Sequence, residues 1–376
     1  MSAMLAMHMT NELLSLPMAA GTIALAGGTV AVAAWRARKT LDPATLPLMG
    51  VMGAFVFAAQ MLNFPIGFGV SGHLGGAVLL AVLLGPWAAI LTMTSILIVQ
   101  CLLFADGGLL ALGCNILNIG VAPALLGGGL FRLLRGSEAS ASPRRLYLSA
   151  WLSATVGVLA GAALVPLQVA ASGVLAIPLP MLLSAMLGVH VAIGLAEGAI
   201  TFAVLAYLQR TRPQLLHHHN GPVHGPLHGA PRDTAHRPGQ AAVLTSVLGA
   251  ALLLAGAGVW FASTHDDGLE ASLKAERYHV TTATDNDTII RNDSPAVARA
   301  NALQAAIAPL PDYTKPQAQP TDDETEHAAP ASWFNISGWS SLAGVLGTVV
   351  TLVLVNITAR LLKRKTIVEN RAIGEL

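Results

Sequence analysis

The sequence predicts an all-α, polytopic helical membrane protein, and three observations carry that prediction. Apolar stretches of roughly 20 residues recur, the length a helix needs to cross about 30 Å of hydrocarbon. Hydrophobic residues make up 54% of the 376 and charged ones only 11%, against about 25% charged in an ordinary soluble domain. Lys and Arg gather in alternate connectors, as they do in cytoplasmic loops. Strands are excluded as the spanning element, since strands of that length would not be so uniformly apolar. The 21 basic and 20 acidic groups balance, leaving no surplus positive charge for nucleic acid.

The elements follow in order. Nine spans are expected, over residues 16–35, 45–62, 74–85, 86–104, 109–131, 146–170, 181–208, 241–262 and 338–361. The third is short for a full crossing, yet the charge pattern requires it. Arg36, Arg38 and Lys39 follow the first span, Arg132, Arg135, Arg144 and Arg145 the fifth, Arg210 and Arg212 the seventh, and Lys363, Arg364 and Lys365 the last. Residues 1–15, 63–73, 105–108 and 171–180 contain no Lys or Arg. A nine-span path in the inner (plasma) membrane, with the N-terminus outside and the C-terminus cytoplasmic, satisfies all of these. No Lys or Arg precedes the first span, so that span, rather than a cleaved leader, is expected to target the chain. Cys101 and Cys114, 13 residues apart, match no disulfide or metal framework.

Two polar inserts interrupt the spans. Residues 213–240, "PQLLHHHNGPVHGPLHGAPRDTAHRPGQ", have no apolar face to bury and read as a cytoplasmic linker. Residues 263–337 carry 12 acidic against 5 basic residues and are expected outside as a small, partly ordered region. The chain therefore divides into a seven-span module, residues 7–212, the linker, and a two-span module, residues 241–362.

Candidate chemistry is sparse. No GxxxxGK[ST], HExxH or GxSxG occurs, so any pumping draws energy from a partner. The connector "QMLNFPIGFGVSGHLGG", Gln60–Gly76, is too rich in Gly to be helical throughout, and such backbone is tolerated at membrane depth only where protein shields it. Its His73 is read either as an interfacial histidine bonded to a carbonyl or as a partner of His8, which shares its face. If the mature chain begins at Met7, the free amine, the His8 amide nitrogen and the His8 imidazole close five- and six-membered chelate rings in one plane. That geometry suits square-planar Ni(II), and Cu(II) or Co(II) less selectively, while Zn(II) prefers a tetrahedron. His73 is placed to fill the fourth position. The dipeptide alone is short enough to arise by chance, and the preceding "MSAMLA" would acylate the amine, so Met7 is expected to be the true or processed terminus.

The runs "AAQMLNFP", "SGHLGG", "LLGPWAA", "LLFADGGLLALG" and "GVHVAIGLAEG" resemble, in order, the substrate-binding S component of energy-coupling factor transporters for cobalt and nickel, the CbiM/NikM family. The resemblance covers about residues 7–215. It implies a square plane formed by Met7, His8 and His73, a transmembrane coupling (T) subunit and cytosolic ATPase subunits as partners, Ni(II) or Co(II) as substrate, no cofactor, and no enzymatic activity of the chain itself. The family usually opens MHIPDG, whereas this chain reads "MHMTNE". "DDGLEASLKAE" and "PLPDYTKP" resemble the PDGLE domain, with Asp266 replacing its usual Pro; the fusion looks like a NikMN arrangement and tilts the substrate toward nickel.

Asn63 and Ser71, with Gln60 as a weaker candidate, flank His73 and are placed to hydrogen-bond it. His190 and Glu197 share one helix face, and a structural polar contact inside the bundle is favoured over a metal relay. His217, His218, His219, His224, His228 and His236 make either a cytoplasmic metal buffer or a solubilising linker. The chain is thus read as a metal importer component, with a membrane metal sensor or metallochaperone as the rival.

Overall fold

The computed structural model describes residues 8–42, 45–67, 69–136, 142–175, 177–211, 239–263, 265–273, 292, 294–314 and 338–374. Helix α1 (Leu16–Thr40) carries Pro17 in its first turn, where a missing N–H breaks no bond, and Arg38 and Lys39 in its last, where they face the negative end of the helix dipole. Helix α2 (Leu46–Gln60) returns and is buried nearly all round, as expected for a helix without a polar face. The connector then forms an antiparallel hairpin, β1 (Phe64–Gly67) and β2 (Val70–Gly72), with Pro65 opposite Ser71. Two helices follow, α3 (Ala77–Leu84) and α4 (Pro86–Phe104), separated by Gly85 at φ 81°. Eight residues of helix are only about 12 Å long, so the expected third span over 74–85 is a helix at 77–84 alone.

The next apolar element, Leu112–Arg135, comprises α5 (Leu112–Asn115), π-helical turns over Ile116–Val121 and Pro123–Gly127, and α6 (Gly128–Arg135). Then come α7 (Pro143–Ser172), α8 (Leu179–Thr211), α9 (Gln240–Gly256), α10 (Gly268–Leu273), α11 (Pro295–Ile307) and α12 (Gly338–Gly374). Six of these elements are long and apolar enough to cross a membrane, while the helices over 46–60 and 240–256 are shorter. The chain is a polytopic helical membrane protein.

Helix directions sort the connectors. Arg36 lies over Trp87 at the start of α4, 5.8 Å from the ring centroid, so the ends of α1 and the beginning of α4 share one end of the bundle. Arg145 donates from Nε to the Leu134 carbonyl at that same end. Residues 8–15, the β-hairpin and the loop 105–111 gather at the other end, as their lack of Lys and Arg anticipates.

Burial in lipid supplies little hydrophobic drive between helices, so small residues that admit close backbones do the packing. Helix α8 lies on α7 through Gly194 and Gly198. A Cβ built at Gly198 would sit 2.7 Å from the Trp151 Cα, which is backbone and cannot swing aside. Gly198→Val should therefore prise α8 from α7 and lower the thermal midpoint in detergent by several degrees, an overpacking cost of about 1–3 kcal/mol. An unchanged midpoint would contradict this packing.

The two modules expected from composition are packed together. Helices α9 and α12 lie against α2, and Gly347 of α12 sits directly on Phe57. The insert folds back over the site end. Leu269 and Leu273 of α10 join Met9, Leu13, Leu14, Val169, Leu182 and Met186 in one apolar cluster.

Candidate metal centre

Met9, directly after His8, is clamped at both its backbone groups. The Met9 amide donates to Asn115 Oδ1 at 3.0 Å, and the Met9 carbonyl accepts from Asn115 Nδ2 at 3.1 Å and from the Gly108 amide at 2.9 Å. Gly107 makes room for this. At φ +85° it adopts a backbone that side chains disfavour, and a Cβ there would meet Asn115 Nδ2 at 2.8 Å and His8 Cβ at 3.0 Å. His8 is consequently 1% exposed.

His73 is held by a second clamp. Glu197, in mid-α8, accepts from the Gly75 amide through Oε2 at 2.8 Å and from the Gly76 amide through Oε1 at 3.0 Å. Gln60 Nε2 donates to the Gly75 carbonyl at 2.8 Å and is itself held by Gln100 Nε2 at 3.0 Å. Glu197 thus makes the structural contact expected of it. Together the clamps bring the His8 and His73 ring centroids to 5.7 Å, with planes inclined at 54°.

Both imidazoles present a buried nitrogen that is unpaired among the described residues, Nε2 of His8 and Nδ1 of His73. An unmade bond at a buried polar atom costs about 1–3 kcal/mol, a cost that persists where another species completes the bonding. The rings line a cavity of about 100 Å³ with Met9, Asn118, His190 and Glu197. His190 donates from Nδ1 to the Met186 carbonyl at 2.7 Å.

Charge at this end is organised by Asp106, a residue sequence reasoning left without a role. His8 Nδ1 lies 2.7 Å from Asp106 Oδ1, and Tyr313 donates its hydroxyl to Asp106 Oδ2 at 2.7 Å. Burial alone would pull the His8 imidazole down, but the charge and hydrogen bond of Asp106 outweigh it and the net shift is upward. Burial pushes Asp106 up, yet the His8 charge and hydrogen bond, then the Tyr313 hydroxyl, hold it below the usual carboxylate value. His73 is driven down to about 3 by burial and the neighbouring His8 charge. It therefore stays neutral, as a metal ligand must. Burial raises Asp267 to about 7, with Oδ1 accepting from the Glu270 amide at 2.8 Å.

A pH dependence follows for protein without added metal. Raised His8 contributes stability that is complete below the usual imidazole value of 6.5 and lost as pH rises through its folded value; lowered Asp106 contributes stability complete above 3.8 and lost as pH falls through its own. The pair thus stabilises most between 3.8 and 6.5, and Asp106→Ala should flatten the thermal midpoint profile across that window. Superimposable profiles of the two proteins would contradict the pairing.

Other sequence-named residues stand elsewhere. Ser71 donates its hydroxyl to the His265 carbonyl at 2.8 Å, not to His73, and its amide donates to the Asp266 carbonyl at 2.7 Å. The Asn63 carbonyl accepts from the Ser263 amide at 2.7 Å, and its Oδ1 has no partner among the described residues. Gln60 acts on Gly75 instead. Proximity in sequence to His73 misled here, because the polar partners come from other loops. Cys101 and Cys114 are buried free thiols. Met7 and the linker histidines 217, 218, 219, 224, 228 and 236 lie outside the described residues. Among the described residues, no three His, Cys, Asp or Glu side chains form a metal cage, so two imidazoles need further donors from elsewhere.

What carries the His8–Asp106–Tyr313 line is the C-terminal insert. Asp312 and Tyr313 have φ of 50° and 58°, left-handed conformations that cost side-chain-bearing residues roughly 1–2 kcal/mol each. That strain places the Tyr313 ring on Phe104, centroids 4.6 Å apart.

The cobalt uptake substrate-specific transmembrane region, CbiM, matches residues 8–215, and the PDGLE domain matches residues 241–364. The fused nickel transport protein NikMN of Rhodobacter capsulatus is 35% identical over 190 residues, 47% of this chain and 54% of that protein. The chain thus spans about half the length of that fused relative. The cobalt transport protein CbiM of Sorangium cellulosum is 32% identical over 217 residues, 56% of this chain and 94% of the relative. A crystal structure of a transition metal transporter is 32% identical, covering 56% of this chain and 96% of its own, with a TM-score of 0.49. With more than half of its length matched, the chain belongs to the CbiM family of cobalt uptake substrate-specific transmembrane proteins and carries a PDGLE domain in its C-terminal part.

Proposed function

We propose that this chain is the substrate-binding component of an energy-coupling factor importer, capturing Ni(II) or Co(II) at the outer face of the plasma membrane and releasing it inward. The single observation that carries the reading is the pair of facing imidazoles, each with a buried nitrogen lacking a partner among the described residues, on two side-chain clamps at the end of the bundle where residues 8–15, the β-hairpin and the loop 105–111 gather. The ligand set is the Met7 amine, the His8 amide nitrogen, His8 Nδ1, which a half-turn of the ring exchanges from Asp106 to the ion, and His73. Such a planar four-nitrogen set favours Ni(II), and the PDGLE fusion leans the same way. A transmembrane coupling subunit and cytosolic ATPases supply the energy, so the chain itself performs no enzymatic step. Residues 7–212 form the capture module and 241–362 the PDGLE module with its extracytoplasmic insert, joined by the 213–240 linker.

Uptake of radioactive nickel by cells carrying the chain with its partner subunits tests the reading. Accumulation above cells lacking the chain is expected; a sensor or metallochaperone would bind the ion and leave uptake flat. His217→Ala should change neither uptake nor the nickel stoichiometry of the purified protein, and loss of an equivalent of nickel would move the primary site to the linker.

A further inference from the structure

Every loop that bears on the imidazole pair is also bonded by the C-terminal insert. The Ser71 amide, two residues before His73, donates to the Asp266 carbonyl. Asn292 Nδ2 donates to the Leu14 carbonyl at 2.7 Å, and Gln304 Nε2 donates to the Gly107 carbonyl at 2.7 Å. The Leu310 amide donates to the Leu103 carbonyl at 3.2 Å. These contacts are to backbone and are explained by packing. The insert also meets side chains of the N-terminal segment, Asn11 Nδ2 donating to Asn301 Oδ1 at 2.6 Å, but one contact differs in kind: the half-buried Tyr313 hydroxyl reaches Asp106, the side chain that itself holds the His8 ring.

We infer that Tyr313 is a positioning residue for metal capture, acting on the His8 imidazole through Asp106 and so making the PDGLE module part of the metal site. This rests on the ligand reading above. A histidine that binds a metal through one ring nitrogen gives the other N–H to a carboxylate, which fixes the ring and its tautomer. In the structure the Nδ1–Cε1 edge of His8 faces Asp106. The six-membered chelate needs Nδ1 on the ion, and a half-turn about Cβ–Cγ exchanges the edges, giving Asp106 the Nε2–H and the ion Nδ1. In either orientation Asp106 takes one nitrogen and leaves the opposite one free. The charges also match: Ni(II) with one deprotonated amide keeps a net charge of +1, which the Asp106 carboxylate balances. Tyr313 occupies the other carboxylate oxygen and fixes its plane. The left-handed backbone at Asp312 and Tyr313 is retained where this hydroxyl is delivered.

Tyr313→Phe removes only the hydroxyl and keeps the ring on Phe104. In the purified full-length protein, titrated with nickel chloride against a competing chelator, it should weaken binding ten- to a hundred-fold and change the visible ligand-field spectrum of the bound ion. Asp106→Asn should do the same, and the double variant should add nothing beyond Asp106→Asn, since both act through one contact. Asn292→Ala, which loosens the same module without touching Asp106, should leave affinity and spectrum unchanged. Unchanged affinity in Tyr313→Phe, equal loss in Asn292→Ala, or additive loss in the double variant would each overturn the inference. Should Tyr313→Phe not be recoverable, Asp106→Asn alone reads the same link: retained affinity and spectrum overturn it. His73→Ala separates the two readings: if it still binds nickel, the ligand set is wrong; if it does not, and Tyr313→Phe binds normally, only the positioning role falls.

Discussion

His73→Ala will purify folded and will not retain nickel. The side chain contributes little to the fold, because its Nδ1 has no partner among the described residues; removing a buried group with an unmade bond relieves a cost of about 1–3 kcal/mol that offsets the lost packing. Binding is another matter. Structural sites with four protein ligands contribute roughly 10–16 kcal/mol in all, so one donor of four is worth about 2.5–4 kcal/mol, roughly seventy- to a thousand-fold in Kd. Equilibrium dialysis with nickel on variant and parent, beside their thermal midpoints, checks both halves. Stoichiometric nickel in the variant at the parent's affinity would remove His73 from the site.

Glu197→Ala should fail in the opposite way, by losing stability first. Its carboxylate accepts two backbone amides at 2.8 and 3.0 Å from a loop 121 to 122 residues away in sequence. Without it both N–H groups are buried and unpaired, at about 1–3 kcal/mol each, and the Gly75–Gly76 backbone loses what holds His73 against His8. A drop of several degrees in thermal midpoint together with weakened nickel binding is expected. Glu197→Gln, which keeps one acceptor oxygen, should fall between. A variant as stable as the parent would show that Gln60 alone suffices to seat the loop.

Most of the apolar helices, and the placing of His8 and His73 at one end of the bundle, were legible because they follow from local quantities. Apolar length sets a helix, Arg and Lys sort its ends, and glycine density marks Gln60–Gly76 as a segment that leaves the helical path. The shortness of the third apolar run was also visible, and the helix is shorter still because Gly76, at φ +78°, begins it and Gly85 ends it. What could not be read is every contact made between distant loops. Asp106 stands in "FADGG", an acid following an apolar run, which is the signal available; its bonds to His8 and Tyr313 span 98 and 207 residues. Asn63 and Ser71 were selected by nearness to His73, but a tight hairpin turns their hydrogen-bonding groups toward residues 263–266. The acidic insert looked like a region apart for the same reason: nothing in its composition shows that α10 contributes Leu269 and Leu273 to the cluster around Met9.

The central claim is a nitrogen cage built on the N-terminal segment and closed by His73, and X-ray absorption at the nickel edge of the loaded full-length protein tests it most directly. The account predicts four nitrogen neighbours in a planar arrangement, two of them showing the outer-shell scattering of imidazole. A six-coordinate, oxygen-rich shell, or a sulfur neighbour from Met9, would contradict it.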